Sequence, residues 1–159
     1  MPFSGRESVD LDDIVLSEAQ RVRTETAGRV DVTRVSAAQV RGDPQQLTRA
    51  VRNLTDNAAR HARSTITFTL AETEQTAVLT VADDGPGIPP DQTERIFERF
   101  TRLNDARTSG SAGAGLGLAI TRDVIQRHGG TIGVDPEYDR GTRFRVTLPL
   151  VGASPGAGS

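Results

Sequence analysis

The sequence predicts an α/β fold, a two-layer sandwich in which helices cover one face of a mixed, mostly antiparallel sheet. Apolar residues at helical spacing alternate along the chain with pairs of short strands, and the strands of each pair are separated by a few turn residues. With 159 residues, a single domain with one core is expected. Aromatic residues make up only 4% of the chain, so that core must be mainly aliphatic.

The N-terminal elements are assigned from their patterning. Residues 1–10 carry no periodic pattern and are interpreted as a linker or an expression remnant, whereas residues 11–150 are predicted to form the folded domain. Apolar residues from Ile14 predict a helix that ends near Gly28, after an acidic N-cap. Residues 30–35 then predict a first strand, and residues 40–42 a short second one.

The second helix has the strongest boundary signal in the chain. Asp43 is a favourable N-cap and Pro44 suits the first helical position, so the helix is predicted to run from there to about residue 61. Residues 65–71 alternate in polarity and residues 77–82 are more continuously apolar. A short polar turn joins these two runs and predicts an antiparallel hairpin.

The C-terminal half contains most of the glycines that interrupt these patterns. Its predicted elements are a glycine turn at 83–87, a short helix at Thr93–Phe100, a long loop at about 101–114, a helix from Gly115 to Arg127 or His128, strands at 131–135 and 142–148, and a disordered tail at 151–159. Ile96 and Phe100 bound a segment that suits either a core contact or a lid hinge. A loop as long as 101–114 inside a compact domain is usually functional or disordered.

Asparagines stand out on the second helix. Asn53 and Asn57 are four residues apart and therefore share a face, which Arg60 continues. Amide oxygens are neutral ligands suited to Mg²⁺ that keeps phosphate and water ligands, so the two are candidate metal ligands and Arg60 a candidate phosphate contact. Taken alone, the pattern also fits two solvated asparagines. His61 either stacks on a nucleotide or caps the helix.

A carboxylate precedes two glycines after the fourth predicted strand. In Asp83-Asp84-Gly85-Pro86-Gly87, a buried Asp83 could accept a hydrogen bond from the adenine amino group and would repel the carbonyl oxygen of guanine. Gly85 and Gly87 would let the backbone approach the flat base. Asp83 has the spacing to both glycines, so Asp84 is predicted to point outward. An ordinary Asp-Gly turn is the alternative.

The third motif is Gly113-Ala114-Gly115-Leu116-Gly117-Leu118. Glycines ahead of a helix start expose backbone N–H groups to phosphate oxygens. The pattern is neither a dinucleotide fingerprint nor a P-loop, because no strand leads into it and the chain contains no lysine. A flexible helix-start loop is the alternative interpretation.

Together, in this order, the motifs resemble the N, G1, F, G2 and G3 boxes of sensor histidine kinases. The resemblance spans about residues 11–149 and implies the Bergerat ATP-binding fold of the GHKL superfamily. It implies that Asp83 reads adenine, that Asn53 and Asn57 organise Mg²⁺, that residues 101–114 form an ATP lid, and that Thr142 lies near Asp83. Arg60 and His61 stand where the family often has Lys and Tyr.

The resemblance also implies phosphoryl transfer rather than hydrolysis. Hydrolytic relatives carry a Glu four residues before the magnesium Asn, and here that position is Asn53, which is no useful base. The family's acceptor His is followed by Glu or Asp, unlike His61 and His128. We therefore expect an excised catalytic domain that binds ATP and Mg²⁺ without phosphorylating itself.

The implied partners are a dimerisation and phosphoacceptor domain of the same kinase and a response regulator. The expected location is the cytoplasm, as the intracellular part of a membrane-bound sensor, with no direct membrane contact from this segment. A net charge of −2 gives no reason to expect nucleic acid as a partner. An anti-sigma-factor-type serine kinase and a non-catalytic ATP-sensing module remain as alternatives.

Overall fold

The structure is a computed structural model that describes residues 7–25, 28–98 and 111–151. Its helices are α1 (Leu11–Glu25), α2 (Pro44–His61) and α3 (Ser111–Arg127), with short 3₁₀ helices at Pro90–Gln92 and Arg95–Phe97. Its strands are β1 (Glu7–Asp10), β2 (Arg29–Val35), β3 (Gln39–Gly42), β4 (Thr65–Glu72), β5 (Thr76–Asp83), β6 (Thr131–Val134) and β7 (Thr142–Pro149).

Five strands form the main sheet in the order β2-β4-β5-β7-β6. Only β2 and β4 run parallel, and the other neighbours are antiparallel. The predicted mixed, mostly antiparallel sheet covered by helices is therefore confirmed. The predicted hairpin is β4–β5, in which Ile66 pairs with Asp83.

One face of this sheet supplies the core. Alternate residues of β4 and β7 are buried, among them Phe68 and Phe144, which are at most 1% exposed. The helices bury aliphatic side chains against that face, including Val15 of α1, Leu54 of α2 and Ile125 of α3. The core is aliphatic, as the composition predicted, and it fixes both helices that carry the candidate site.

The predicted cap of α2 is present. The Asp43 carboxylate accepts hydrogen bonds from the backbone N–H groups of Gln45 at 2.9 Å and Gln46 at 3.4 Å, and Pro44 begins the helix. The helix runs from Pro44 to His61, as predicted, and its start follows from this local capping chemistry.

An ion-pair network holds α1 against α2. The buried Glu18 carboxylate accepts from Arg21 at 2.9 Å and from Arg52 at 3.1 Å, and Arg21 also contacts Asp56 at 2.7 Å. A buried carboxylate is stable only with such partners. The network therefore fixes α2 close to its asparagines.

Three boundaries differ from the prediction. Residues 7–10 are strand β1, which pairs antiparallel with β3 and buries Val9. A four-residue strand has too few alternations to give a periodic signal. The predicted helix at Thr93–Phe100 is instead 3₁₀ structure at residues 90–92 and 95–97, with Phe100 outside the described residues. α3 begins at Ser111, four residues before the predicted start.

Most of the predicted lid lies outside the described residues, as do the tail from residue 152 and the first six residues. Within the described part, no helix is long and apolar enough to cross a membrane.

Candidate functional site

Asp83 lies at the end of β5 and is only 2% exposed. Its carboxylate accepts a hydrogen bond from the Gly85 backbone N–H at 2.8 Å. In the sheet, residue Asp83 is paired with Thr142 of β7. Burial raises the pKa of Asp83, while the N–H groups of Gly85 and Thr142 and the nearby charge of His61 act in the opposite direction. The site therefore holds a desolvated carboxylate with acceptor capacity to spare.

Close backbone packing surrounds this carboxylate. A Cβ on Gly85 would lie 2.1 Å from the carbonyl oxygen of His61, and one on Gly141 would lie 2.1 Å from the carbonyl oxygen of Asp83. Glycine is therefore required at both positions on steric grounds. Gly87 has a φ of +82° and closes the same turn. The turn, the end of α2 and the start of β7 thus meet around Asp83.

Asp84 lies at the surface as predicted, but its carboxylate is engaged in hydrogen bonds. Its carboxylate accepts hydrogen bonds from the backbone N–H of Arg63 at 2.7 Å and from the N–H and hydroxyl of Ser64 at 2.9 and 2.7 Å. These bonds hold the pKa of Asp84 well below its usual range. Asp84 thereby anchors the connection between α2 and β4 to the glycine turn.

We predict that Asp84→Ala lowers the free energy of unfolding by roughly 1–2 kcal/mol, because three donors lose a charged acceptor that is partly open to solvent. Because the pKa of Asp84 is lower in the folded than in the unfolded state, its contribution to stability is complete above the unfolded-state pKa of about 3.9. The contribution declines as the pH falls from there towards the folded-state pKa. Urea unfolding at pH 7 and pH 3 measures it. An equal stability difference between wild type and variant at both pH values would contradict the role.

Asn53 contacts helix α3 directly. Its Nδ2 donates to the carbonyl oxygen of Gly117 at 3.2 Å and to the Thr121 hydroxyl at 3.1 Å. The amide nitrogen is therefore engaged between helices, and Oδ1 has no hydrogen-bond partner among the described residues. Sequence reasoning gave Asn53 a metal role and missed Thr121, because a contact 68 residues apart leaves no local signal.

Asn57 lies one turn further along α2 and is 6% exposed. Within the described part of the chain, its side-chain amide has no hydrogen-bond partner. The amide is not completely enclosed, since Gln46 Oε1 is the one fully buried side-chain polar atom that lacks a partner in the described ranges. Asn57 is therefore suited to bind a group that the protein itself does not supply.

Two polar side chains lie at the end of α2. His61 is exposed, and its Nδ1 lies 2.8 Å from the carbonyl oxygen of Asn57, a contact that favours the capping alternative. Arg60 is exposed, and no ion pair to it is found in the described ranges. Its guanidinium is available to an anion at the open end of the helix.

The glycines of the third motif lie inside α3 and not ahead of it, which corrects their predicted place. Because α3 begins at Ser111, Gly113 lies in its first turn, where backbone N–H groups lack helical partners, and Gly115 lies beyond that turn. Gly117 supplies its carbonyl to Asn53. Leu118 is buried in the core, and the Leu116 side chain lies outside the described part.

The segment before the predicted lid is anchored in the core. Ile96 and Phe97 are buried, and the Phe97 ring packs edge-on against Phe144 at 6.0 Å between centroids. The Arg122 guanidinium of α3 lies 5.2 Å from the Phe97 ring centroid. The core-contact alternative is thus the one observed for Phe97.

The side chains available as ligands determine how a metal ion could be bound. Among the described residues, no group of three or more His, Cys, Asp or Glu side chains could hold a metal ion. Asn53 and Asn57 offer only neutral oxygens, which fit Mg²⁺ that is already bound to phosphate oxygens. The residues present therefore fit a metal that arrives with a nucleotide.

A family model described as histidine kinase-, DNA gyrase B- and HSP90-like ATPase matches residues 42–152. The sensor protein IrlS of Burkholderia pseudomallei is 46% identical over 114 residues, which cover 70% of this chain and 25% of that protein. The chain spans about a quarter of the length of this curated relative.

Solved structures are similar over nearly the whole chain. A mycobacterial sensor histidine kinase, MprB, superposes with a TM-score of 0.79 at 36% identity, covering 91% of this chain and 97% of that one. Full-length ShkA in complex with AMPPNP has a TM-score of 0.78 at 25% identity and covers 98% of this chain and 33% of that one.

Proposed function

The chain belongs to the histidine kinase-, DNA gyrase B- and HSP90-like ATPase family, and we propose that it is the ATP-binding catalytic domain of a sensor histidine kinase. In this role it binds Mg·ATP and transfers the γ-phosphate to a histidine on a separate dimerisation domain, for relay to a response regulator. The observation that carries the proposal is the buried Asp83 carboxylate, enclosed by a turn in which Gly85 has no room for a side chain.

Asp83 is the adenine contact of this proposal. The carboxylate has only hydrogen-bond acceptors, and burial strengthens its discrimination between a donor and an acceptor on the ligand. Adenine presents an amino donor where guanine presents a carbonyl oxygen. Thr142, paired with Asp83, supports the same carboxyl through its backbone N–H.

Asn57 and Asn53 are the proposed magnesium ligands, each through its amide oxygen. Mg²⁺, when bound, neutralises charge on the transferring phosphoryl group. The Arg60 side chain contacts the phosphates from the exposed end of the same helix, and the free N–H groups at the start of α3 donate hydrogen bonds to phosphate oxygens. Positioning and charge neutralisation together account for catalysis without a protein base.

The acceptor is proposed to lie on another domain. His128 is 3% exposed, its Nδ1 lies 2.8 Å from the Val124 carbonyl oxygen, and its Nε2 accepts from the Asp43 N–H at 3.1 Å. A ring with both nitrogens bonded inside the core offers no lone pair to a phosphoryl group. Asn53 at the position of the hydrolytic Glu favours transfer over attack by water.

Transfer is tested with γ-labelled ATP and the dimerisation domain from the same kinase. We expect acid-labile label on that domain and none on this chain alone. ATP binding without transfer would indicate a non-catalytic sensing module, and acid-stable label would indicate a serine kinase. Either outcome contradicts the proposal.

Asn57→Ala should reduce the affinity for Mg·ATP by about 10- to 100-fold, because it removes one contact to a charged group. Affinity for metal-free nucleotide should change little. Calorimetry with Mg²⁺ and with a chelator separates the two quantities. Gln45→Ala, an exposed position in the first turn of the same helix, is the matched control. Retained magnesium dependence in Asn57→Ala would place the metal elsewhere.

A further inference from the structure

A buried hydroxyl contacts one of the two candidate magnesium ligands. Thr121 of α3 is 0% exposed, and its Oγ1 accepts a hydrogen bond from Asn53 Nδ2 at 3.1 Å. The same hydroxyl donates to the carbonyl oxygen of Gly117 at 2.8 Å, and Asn53 Nδ2 donates to that carbonyl at 3.2 Å. The three groups form a closed set of hydrogen bonds between α2 and α3.

Donor and acceptor accounting fixes the orientation of the Asn53 amide. A carbonyl oxygen only accepts, so the group of Asn53 that faces Gly117 must be the NH₂. The Thr121 proton is used on the same carbonyl, which leaves a Thr121 lone pair to accept from the Asn53 NH₂. Turning the amide over would set Oδ1 against the Gly117 carbonyl, and Thr121 could then donate to Oδ1 only by giving up its own hydrogen bond to Gly117. Oδ1 is therefore held as the free end of the side chain.

We propose that Thr121 is a positioning residue for the metal-nucleotide site, which holds the Asn53 amide so that Oδ1 stays available to Mg²⁺. The inference rests on the proposed function, because it assigns Asn53 a metal contact. Gly117 alone gives the amide one acceptor. The Thr121 hydroxyl supplies a second acceptor on the same side, so the NH₂ group is favoured there and Oδ1 points away.

The arrangement also links the metal site to the helix that follows the predicted lid. Thr121 and Gly117 are one turn apart on α3, whereas Asn53 and Asn57 are one turn apart on α2. A shift of α3 along α2 would therefore break the hydrogen bonds to Asn53. The magnesium ligand thus depends on the position of α3.

Thr121→Val and Thr121→Ser test the proposal. Valine keeps the shape but removes the hydroxyl, and serine keeps the hydroxyl. We expect Thr121→Val to reduce the ratio of nucleotide affinity with Mg²⁺ to affinity with chelator by about 3- to 10-fold, the effect of one hydrogen bond. Thr121→Ser should retain the wild-type ratio. A purely structural role would lower both affinities together and leave their ratio unchanged, which would overturn the proposal.

A second readout needs no nucleotide. The sequence has only three asparagines, so the Asn53 side-chain NH₂ signals are assignable by NMR. In the wild type these protons should exchange with water more slowly than those of the exposed Gln45, and Thr121→Val should remove the protection. Equally fast exchange of both amides in the wild type would overturn the proposal even if the valine variant does not fold. Protected Asn53 protons in a chain that binds no nucleotide would reject the proposed function and retain the contact.

Discussion

Asp83→Asn is expected to reduce the affinity for ATP by about 100-fold or more, since a desolvated charged acceptor is lost. The Asn oxygen would remain on the Gly85 N–H, which now bonds to the carboxylate at 2.8 Å. The new NH₂ would then face the adenine amino group, donor against donor. Calorimetry measures the change.

Asp84→Asn is the matched control for Asp83→Asn. Asp84 is the adjacent carboxylate, and its contacts are to Arg63 and Ser64 on the connection between α2 and β4. We expect that variant to lose stability and to bind ATP nearly as tightly as the wild type. Unchanged ATP affinity in Asp83→Asn would remove the adenine contact from the account.

The Asp83 carboxyl group should make both stability and ATP affinity depend on pH, each with a defined sign. Burial raises the pKa of Asp83, so between the unfolded value of about 3.9 and the raised folded value the native state holds more protons than the unfolded one. The Asp83 contribution to stability therefore falls as pH rises through this window, because the charged form is the one that burial penalises. ATP affinity should change in the opposite direction, since only the ionised carboxylate is the full acceptor.

Gly85→Ala is expected to disrupt both stability and nucleotide binding. The added Cβ would lie 2.1 Å from the His61 carbonyl oxygen, a backbone atom at the end of α2 that has no rotamer to adjust. The turn must move away from α2, which costs roughly 1–3 kcal/mol of stability or more. Because Asp83 accepts the Gly85 N–H, its carboxylate should move as well and ATP affinity should fall.

Gly133→Ala is the control for this substitution. No atom lies within 4 Å of a Cβ built on Gly133, which is in strand β6. It should therefore leave both unfolding and ATP binding close to wild type. Thermal unfolding and calorimetry on the two variants compare the same chemical change at two sites. Wild-type binding and stability in Gly85→Ala would contradict the close packing around Asp83.

Local chemistry explains which parts of the fold were predictable. The start of α2 follows from the Asp43 cap and Pro44, and the β4–β5 hairpin follows from alternation around a polar turn. Strand β1 was missed because its four residues are stabilised by pairing with β3, some thirty positions away. The start of α3 was misplaced because its glycines disfavour a helix locally.

The candidate site also contains features that local sequence predicts and features that it does not. The burial of Asp83 and the shared face of Asn53 and Asn57 were predictable from spacing and residue type. The role of Asp84 was not, because its partners Arg63 and Ser64 are brought to it only by the sheet. Thr121 was equally hidden, since helix packing alone places a hydroxyl on Asn53.

The central claim is that a buried carboxylate selects an adenine nucleotide. Calorimetry of the wild-type chain with ATP and with GTP, each in the presence of Mg²⁺, tests it directly. We predict ATP binding and an affinity for GTP that is weaker by about 100-fold or more, because the guanine oxygen would face the Asp83 carboxylate without a shared proton. Equal affinity for the two nucleotides would contradict the account.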